Sequence, residues 1–461
     1  MNKLFYLLLF VLLLSSGCKS NSITTVNLPQ DKNIQVYFNH RDTGDKKYTD
    51  DYRNVTRTGD NLEAVVIQAI EQAESSIDVA VQELQLPGIA LALAKQAKKG
   101  IEVRVILDNK YSRAISSFSP SEITKLPPRE RARFLQYFQL IDVDNNGILN
   151  SQEINNRDAL IILENANTPL IDDTADGSKG SGLMHHKFMV IDGKTVITGS
   201  TNFTLSGIHG DLGNLDTRGN VNHLLVIDNR ELAQLFTEEF NYMWSDRKFG
   251  LNKGFRSPQT ISWDKTKIQI QFSPISSKQD WSLSGNGLIG KVLNEADNSI
   301  DLALFVFSDQ NLANILQNKQ QQGIKINALI DREFIFRYYS EALDMLGVAM
   351  VNKCQYEAYN NPWNNTIKTV GTANLETGDK LHHKIAVIDN KNIITGSQNW
   401  SAAANYHNDE TVLIIENETV AKHFQQEFAR LYQNANLGLP EQIDSKISEQ
   451  QRKCSSEIGI N

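Results

Sequence analysis

One pattern, H-x-K-x4-D-x6-G-S-x-N, occurs twice in this chain, and it restricts the fold to one that can present the same side chains from two equivalent places. The first copy runs through His185, Lys187, Asp192, Gly199, Ser200 and Asn202. The second runs through His382, Lys384, Asp389, Gly396, Ser397 and Asn399, every position displaced by 197 (382 − 185). Chance does not produce such a register. Each copy also holds a middle histidine, His186 or His383.

The repetition reaches beyond the motif. Ser76-Ile77-Asp78-Val79-Ala80 matches Ser299-Ile300-Asp301-Leu302-Ala303, and Asp108 matches Asp331, at an offset of 223 (331 − 108). Downstream, Phe236-x2-Glu239-Phe240 matches Phe424-x2-Glu427-Phe428 at an offset of 188 (424 − 236). The chain is a tandem duplication. The changing offset places 26 (223 − 197) extra residues in the first half between Asp108 and His185, and nine more (197 − 188) at about Ile208 to Asp216.

Apolar periodicity predicts helices over 63–74, 89–99 and 288–294, and strands over 77–81, 103–107, 185–191, 195–198, 300–305 and 326–330. Strands separated by helices of this length argue for βαβ units in a largely parallel sheet. Asp192-Gly193 reads as a hairpin turn. Along a strand side chains alternate faces, so His185 and Lys187 point one way and His186 the other. The middle histidines are therefore expected to support the site from behind.

Two complete copies, each trailed by G-S-x-N, resemble the HKD motif of the phospholipase D superfamily. The resemblance implies an α/β fold: a duplicated phospholipase D-like α/β/α sandwich, two halves sharing one active site at their interface. One chain then supplies both motifs and is active as a monomer, with no obligate partner and no metal for catalysis. It implies the roles as well. One of His185 and His382 attacks phosphorus and the other protonates the leaving oxygen. Lys187, Lys384, Asn202 and Asn399 stabilise charge on the phosphoryl oxygens, with Ser200 and Ser397 as further hydroxyl donors. An acidic residue supports each histidine. In the second half Glu410 fits this place, and its counterpart in the first half is Asn222. Asp192 and Asp389 read as structural turn residues.

The first-half surplus contains Asp142 to Glu153, which matches the EF-hand calcium loop at every position. The expected Ca2+ ligands are Asp142, Asp144, Asn146, the Ile148 carbonyl, Asn150 and Glu153, with Gly147 making the turn and Leu149 packing inward. A helix carrying Phe134, Phe138 and Ile141 on one face precedes the loop. Calcium at this place reads as structural.

The N-terminus sets the expected location. A basic start, an apolar run from Leu4 to Leu14 and then Gly17-Cys18 resemble a bacterial lipoprotein signal, with Cys18 as the lipidation site. The protein is then exported and anchored to a membrane, periplasmic or cell-surface side, where Cys354 and Cys454 are free to pair. The expected organisation is a signal over 1–18, a tether over 19–32, a first domain over 33–250 with the insertion at about 120–160, a second domain over 256–440, and a tail over 441–461. A net charge of −8 excludes a strongly cationic nucleic-acid binder but not a local basic groove. The favoured function is hydrolysis of glycerophospholipid headgroup esters through a phosphohistidine, with a phospholipid membrane surface as partner. Beside it stand a non-specific endonuclease with nucleic acid as substrate, cardiolipin-synthase-like phosphatidyl transfer, and a calcium-dependent surface-binding protein without catalysis.

Overall fold

The computed structural model describes residues 26–44 and 46–454. The signal-like segment, Cys18 and the tether before residue 26 lie outside the described residues. From Val26 the tether is packed down: the carbonyls of Val26 and Pro29 accept from Gln426 and His423.

The first half is built on strands β1 (Ile34–Phe38), β2 (Ser76–Val81), β3 (Glu102–Leu107), β4 (Leu170–Asp172), β5 (Lys187–Ile191), β6 (Thr195–Gly199) and β7 (His223–Asp228). They form one sheet in the order β1-β7-β6-β5-β2-β3-β4. The second half has β8 (Gln259–Trp263), β9 (Thr266–Ser273), β10 (Ser299–Leu304), β11 (Lys325–Ile330), β12 (Val370–Thr372), β13 (Lys384–Ile388), β14 (Asn392–Gly396), β15 (Glu410–Glu416) and β16 (Asn436–Leu437). Their order is β8-β9-β15-β14-β13-β10-β11-β12-β16, the same core with an added strand at each edge.

Neither sheet is largely parallel. Within these two sheets, among the described residues, only β2–β3 and β3–β4 in the first, and β10–β11 and β11–β12 in the second, pair in parallel. The βαβ pattern holds for the crossovers through helices α1 (Leu62–Glu71) and α2 (Pro87–Lys98) and their second-half counterparts. Each motif, by contrast, folds as a hairpin, and hairpins make antiparallel neighbours. The motif turns are tight: Asp192 and Gly193, like Asp389 and Asn390, all have positive φ.

Strand alternation divides the core into three. In β5, Met189 and Ile191 face the outer helices α1 and α2, whereas Phe188 and Val190 face a central cluster. In β13, Ile385 and Val387 join that same central cluster while Ala386 and Ile388 face outward. The central cluster also takes Phe236 and Phe240 of helix α5 (Arg230–Trp244) and Phe424 and Phe428 of the later helix Glu418–Tyr432. Both sheets therefore share one apolar layer, and a fully buried Phe contributes up to about 3 kcal/mol to it.

The insertion fills the connection between β3 and β4. Helix α3 (Pro128–Ile141) leads into the 142–153 loop, and helix α4 (Ser151–Arg157) leaves it. Phe134, Tyr137 and Ile141 form a small separate core, with Phe138 and Leu149 packed against it. In the second half the same connection carries Cys354, which is tied to Cys454 with a Cα separation of 5.2 Å and fastens the C-terminal helix Glu441–Cys454. Among the described residues no helix is long and apolar enough to cross a membrane.

Candidate active site

His185 and His382 end up in the same cleft of about 540 Å³ because each motif strand starts at the seam between the halves. Met184 pairs as a parallel bridge with Asp409, and Leu381 with Val221. The N–H of His185 donates to the Asp409 carbonyl at 3.0 Å, and that of His382 to the Val221 carbonyl at 3.2 Å. Each motif is thus hydrogen-bonded to the segment just before the last core strand of the opposite half.

This seam exchanges the supporting residues. Glu410 reaches His185 of the first half, with Oε2 2.7 Å from Nδ1. Asn222 reaches His382 of the second, with Oδ1 3.0 Å from Nδ1. The expectation that Glu410 backs the histidine of its own half is corrected here. Position along the chain pairs each support with its own motif, but the bridges at Asp409 and Val221 swap them. Asn222 is fixed in orientation because its Nδ2 donates to the Gly207 carbonyl at 2.8 Å. Its Oδ1 therefore accepts from His382, leaving the Nε2 lone pair of a neutral imidazole free.

Ser200 and Ser397 do not point at a phosphate site. Their hydroxyls donate to Asn222 Oδ1 and Glu410 Oε2, both at 2.7 Å, and so brace the supports. The glycines before them allow this approach: a Cβ at Gly199 or Gly396 would lie 2.3 or 2.2 Å from the carbonyl oxygen of His223 or Thr411. Asp192 and Asp389 stay at the far ends of the hairpins. Their carboxylates accept the N–H groups of residues 74–76 and 297–299, pinning each hairpin to the strand beside it.

Lys187 and Lys384 lie buried beside the histidines, each donating to the carbonyl of its own motif histidine at 2.8 Å. Burial lowers Lys187 to about 7, against the pull of Glu410 and Asp108, and drives Lys384 well below the usual lysine range, with Lys187 adding repulsion. An anion in the cleft would favour the charged form of both. Burial also lowers His185 to about 4 while Glu410 opposes it; burial holds His382 well below the ordinary imidazole range, with Lys384 and Lys187 adding and an amide in place of a carboxylate at its Nδ1. Burial favours the protonated Glu410, yet His185 and Lys187 hold its carboxyl below the ordinary range. His185 is the histidine better equipped to carry positive charge.

Asn202 lines the cleft and donates to Gln82 Oε1 at 3.3 Å. The buried Oδ1 atoms of Asn202 and Asn399 have no hydrogen-bond partner among the described residues.

The middle histidines face backwards. His186 bridges Thr411 Oγ1 and Glu239, both at 2.9 Å. His383 meets His223 Nδ1 to Nδ1 at 3.1 Å and Glu427 at 3.3 Å. Behind His186 stands a fully buried ion network in which Lys253 joins Glu239 and Asp409, both at 2.5 Å.

The structure adds residues that motif reading missed. Asp108 Oδ2 accepts the N–H of Met184 at 3.0 Å, and Asp331 Oδ2 that of Leu381 at 2.8 Å, so these aspartates set the start of each motif. Their place in the repeat was the available signal. Phe305 packs its ring 4.8 Å from that of His382, in the place that Gln82 has in the first half. Lys380 lines the cleft, as do Arg129, Arg133 and Gln136 of α3.

The family described as "Cardiolipin synthase, PLD-like domain" matches residues 66–244 and 289–432, one segment in each half. The chain belongs to this phospholipase D-like family. Among its relatives, the mitochondrial cardiolipin hydrolase of Canis lupus familiaris is 30% identical over 148 residues, 32% of this chain and 50% of that protein. A phospholipase D of Rickettsia conorii (strain ATCC VR-613 / Malish 7) is 30% identical over 138 residues, 30% of this chain and 59% of that one. The chain spans about half the length of the curated relatives it matches. The family fold extends over both halves: a phosphatidylserine synthase from Haemophilus influenzae Rd KW20 superposes over 94% of this chain and 96% of its own, with a TM-score of 0.54 at 11% identity.

Proposed function

We propose that this member of the family hydrolyses phosphodiesters, with glycerophospholipid headgroup esters as the substrate class. The observation that carries the reading is the convergence of His185 and His382 on one cleft, each with Nδ1 held from behind and Nε2 left for chemistry. One Nε2 attacks phosphorus to form a phosphohistidine as the P–O bond to the leaving group breaks; the other imidazole gives that oxygen its proton. The second histidine then takes a proton from water, which displaces the first histidine from phosphorus. A lipid alcohol in place of water would make the same intermediate a route to phosphatidyl transfer. Lys187 and Lys384 carry the charge that stabilises the phosphoryl oxygens. One chain provides the whole site, so the active unit is a monomer.

The insertion fits calcium. Carboxylate oxygens of Asp142, Asp144 and Glu153 lie within 4.8 Å of one another, an all-oxygen donor set suited to a hard cation. Asn146, the Ile148 carbonyl and Asn150 complete the proposed ligands, and the ion's role there is structural. Anchoring through Cys18 to an exported membrane face belongs to the same proposal, placing the cleft beside its lipid substrate.

The test offers the purified soluble protein phosphatidylcholine, cardiolipin and single-stranded DNA side by side. Release of a headgroup or phosphatidic acid without DNA cleavage supports the lipase. DNA cleavage without lipid hydrolysis replaces it with the nuclease, and activity on none of them leaves a binding protein.

A further inference from the structure

The α3 helix of the insertion is more than a mount for the loop that follows it. Its Arg129, Ala132, Arg133 and Gln136 form one wall of the cleft that holds His185 and His382. Two contacts keep that wall in place. On its inner side the buried Glu83, next to the cleft residue Gln82, accepts from Arg133 and from Tyr137. At its outer end Arg129 reaches across the seam to Glu333 of the second half at 3.5 Å. Glu333 in turn holds Lys380, another cleft residue, at 2.9 Å.

Glu333 is itself tied to the catalytic motif. Its N–H donates to Asp331 Oδ1 at 2.9 Å, and the other oxygen of that carboxylate accepts from Leu381, beside His382. In the first half the same device ends in Lys110, whose N–H donates to Asp108 Oδ1 at 3.0 Å. The repeat therefore breaks its symmetry where the two halves meet over the cleft, placing a carboxylate opposite Arg129.

We propose that α3 is the specificity wall of the site: clamped by Glu83 and bridged to the second half through Arg129 and Glu333, it closes one end of the cleft. A phosphodiester presented end-on, as a headgroup is, reaches the histidines, whereas an internal phosphate of a polymer must first part the bridge. This rests on the phosphodiesterase reading and deepens it. Arg129 is 81% exposed and Glu333 40%, so the bridge is a weak exposed pair that alters selectivity without holding the fold together.

The test uses Glu333→Gln and Arg129→Gln, which break the bridge with opposite changes in charge. For each, kcat/KM is measured on circular single-stranded DNA, which has no ends, and on bis(p-nitrophenyl) phosphate. The wall predicts that both variants raise the ratio of DNA to small-diester turnover by about two- to five-fold, the range an exposed pair carries. Shifts in opposite directions would show simple attraction of the polyanion, and an unchanged ratio would show no wall; either overturns the inference while leaving the phosphodiesterase standing. A wild-type protein inactive on the small diester overturns both.

Discussion

Replacing Glu410 by Gln removes the charge behind His185 but keeps one oxygen for Nδ1 and for Ser397, while the amide nitrogen takes the place of the oxygen that accepts from Asn408 Nδ2. The lost quantity is the charge-assisted part of the 2.7 Å contact, which matters whenever His185 is protonated or phosphorylated. A hydrogen bond to a charged partner contributes about 1.5–3 kcal/mol. At 1.36 kcal/mol per decade this lowers kcat/KM roughly tenfold to 150-fold. His185 is already lowered to about 4 by burial, and loss of Glu410, the main influence raising it, moves it further down. The assay is steady-state hydrolysis of bis(p-nitrophenyl) phosphate by wild type and variant from pH 5 to 9, with thermal melts to confirm folding. A folded Glu410→Gln protein within twofold of wild type would refute the cross-seam support.

Acid should destabilise the fold in a predictable way. Burial holds His40, His186, His223 and His382 well below the ordinary imidazole range. Below about pH 6.5 the unfolded chain takes up protons that the native state refuses, so stability falls with pH by up to about 1.4 kcal/mol per unit for each histidine. Urea midpoints between pH 7 and 5 should drop, and His223→Gln should show a slope shallower by about one proton; an identical slope contradicts the assignment. Calcium at about a hundred times its Kd should stabilise the folded chain by about 2.7 kcal/mol, read as a higher Tm than in chelator. Glu153→Gln should remove the difference, and equal melts of wild type with calcium and with chelator would sink the proposed ion.

The duplication, the order of elements and the residues of both motifs were legible because they are local or repeat at fixed offsets. Strand alternation also carried the middle histidines correctly to the rear, where His186 meets Glu239 and His383 meets Glu427. Sheet direction was misread because each βαβ pattern covers only part of a half, while the motif hairpins make the remainder antiparallel. The exchange of Glu410 and Asn222 was hidden for another reason: it depends on bridges between residues more than 150 positions apart, and a repeat assigns every residue to its own half. The wall formed by α3 is equally non-local. Its amphipathic pattern identified the helix, but not that the face left over by its small core would border His185 and His382.

The central claim is that the two motifs make one site and not two. Its most direct test is kcat/KM on bis(p-nitrophenyl) phosphate for His185→Ala, for His382→Ala, and for an equal mixture of the two. A single intrachain site predicts that each variant loses at least about a thousandfold, within the contribution of a covalent or acid–base histidine, and that mixing restores nothing. Either variant keeping half of the wild-type rate would show two independent sites, and recovery on mixing would show a site assembled between chains.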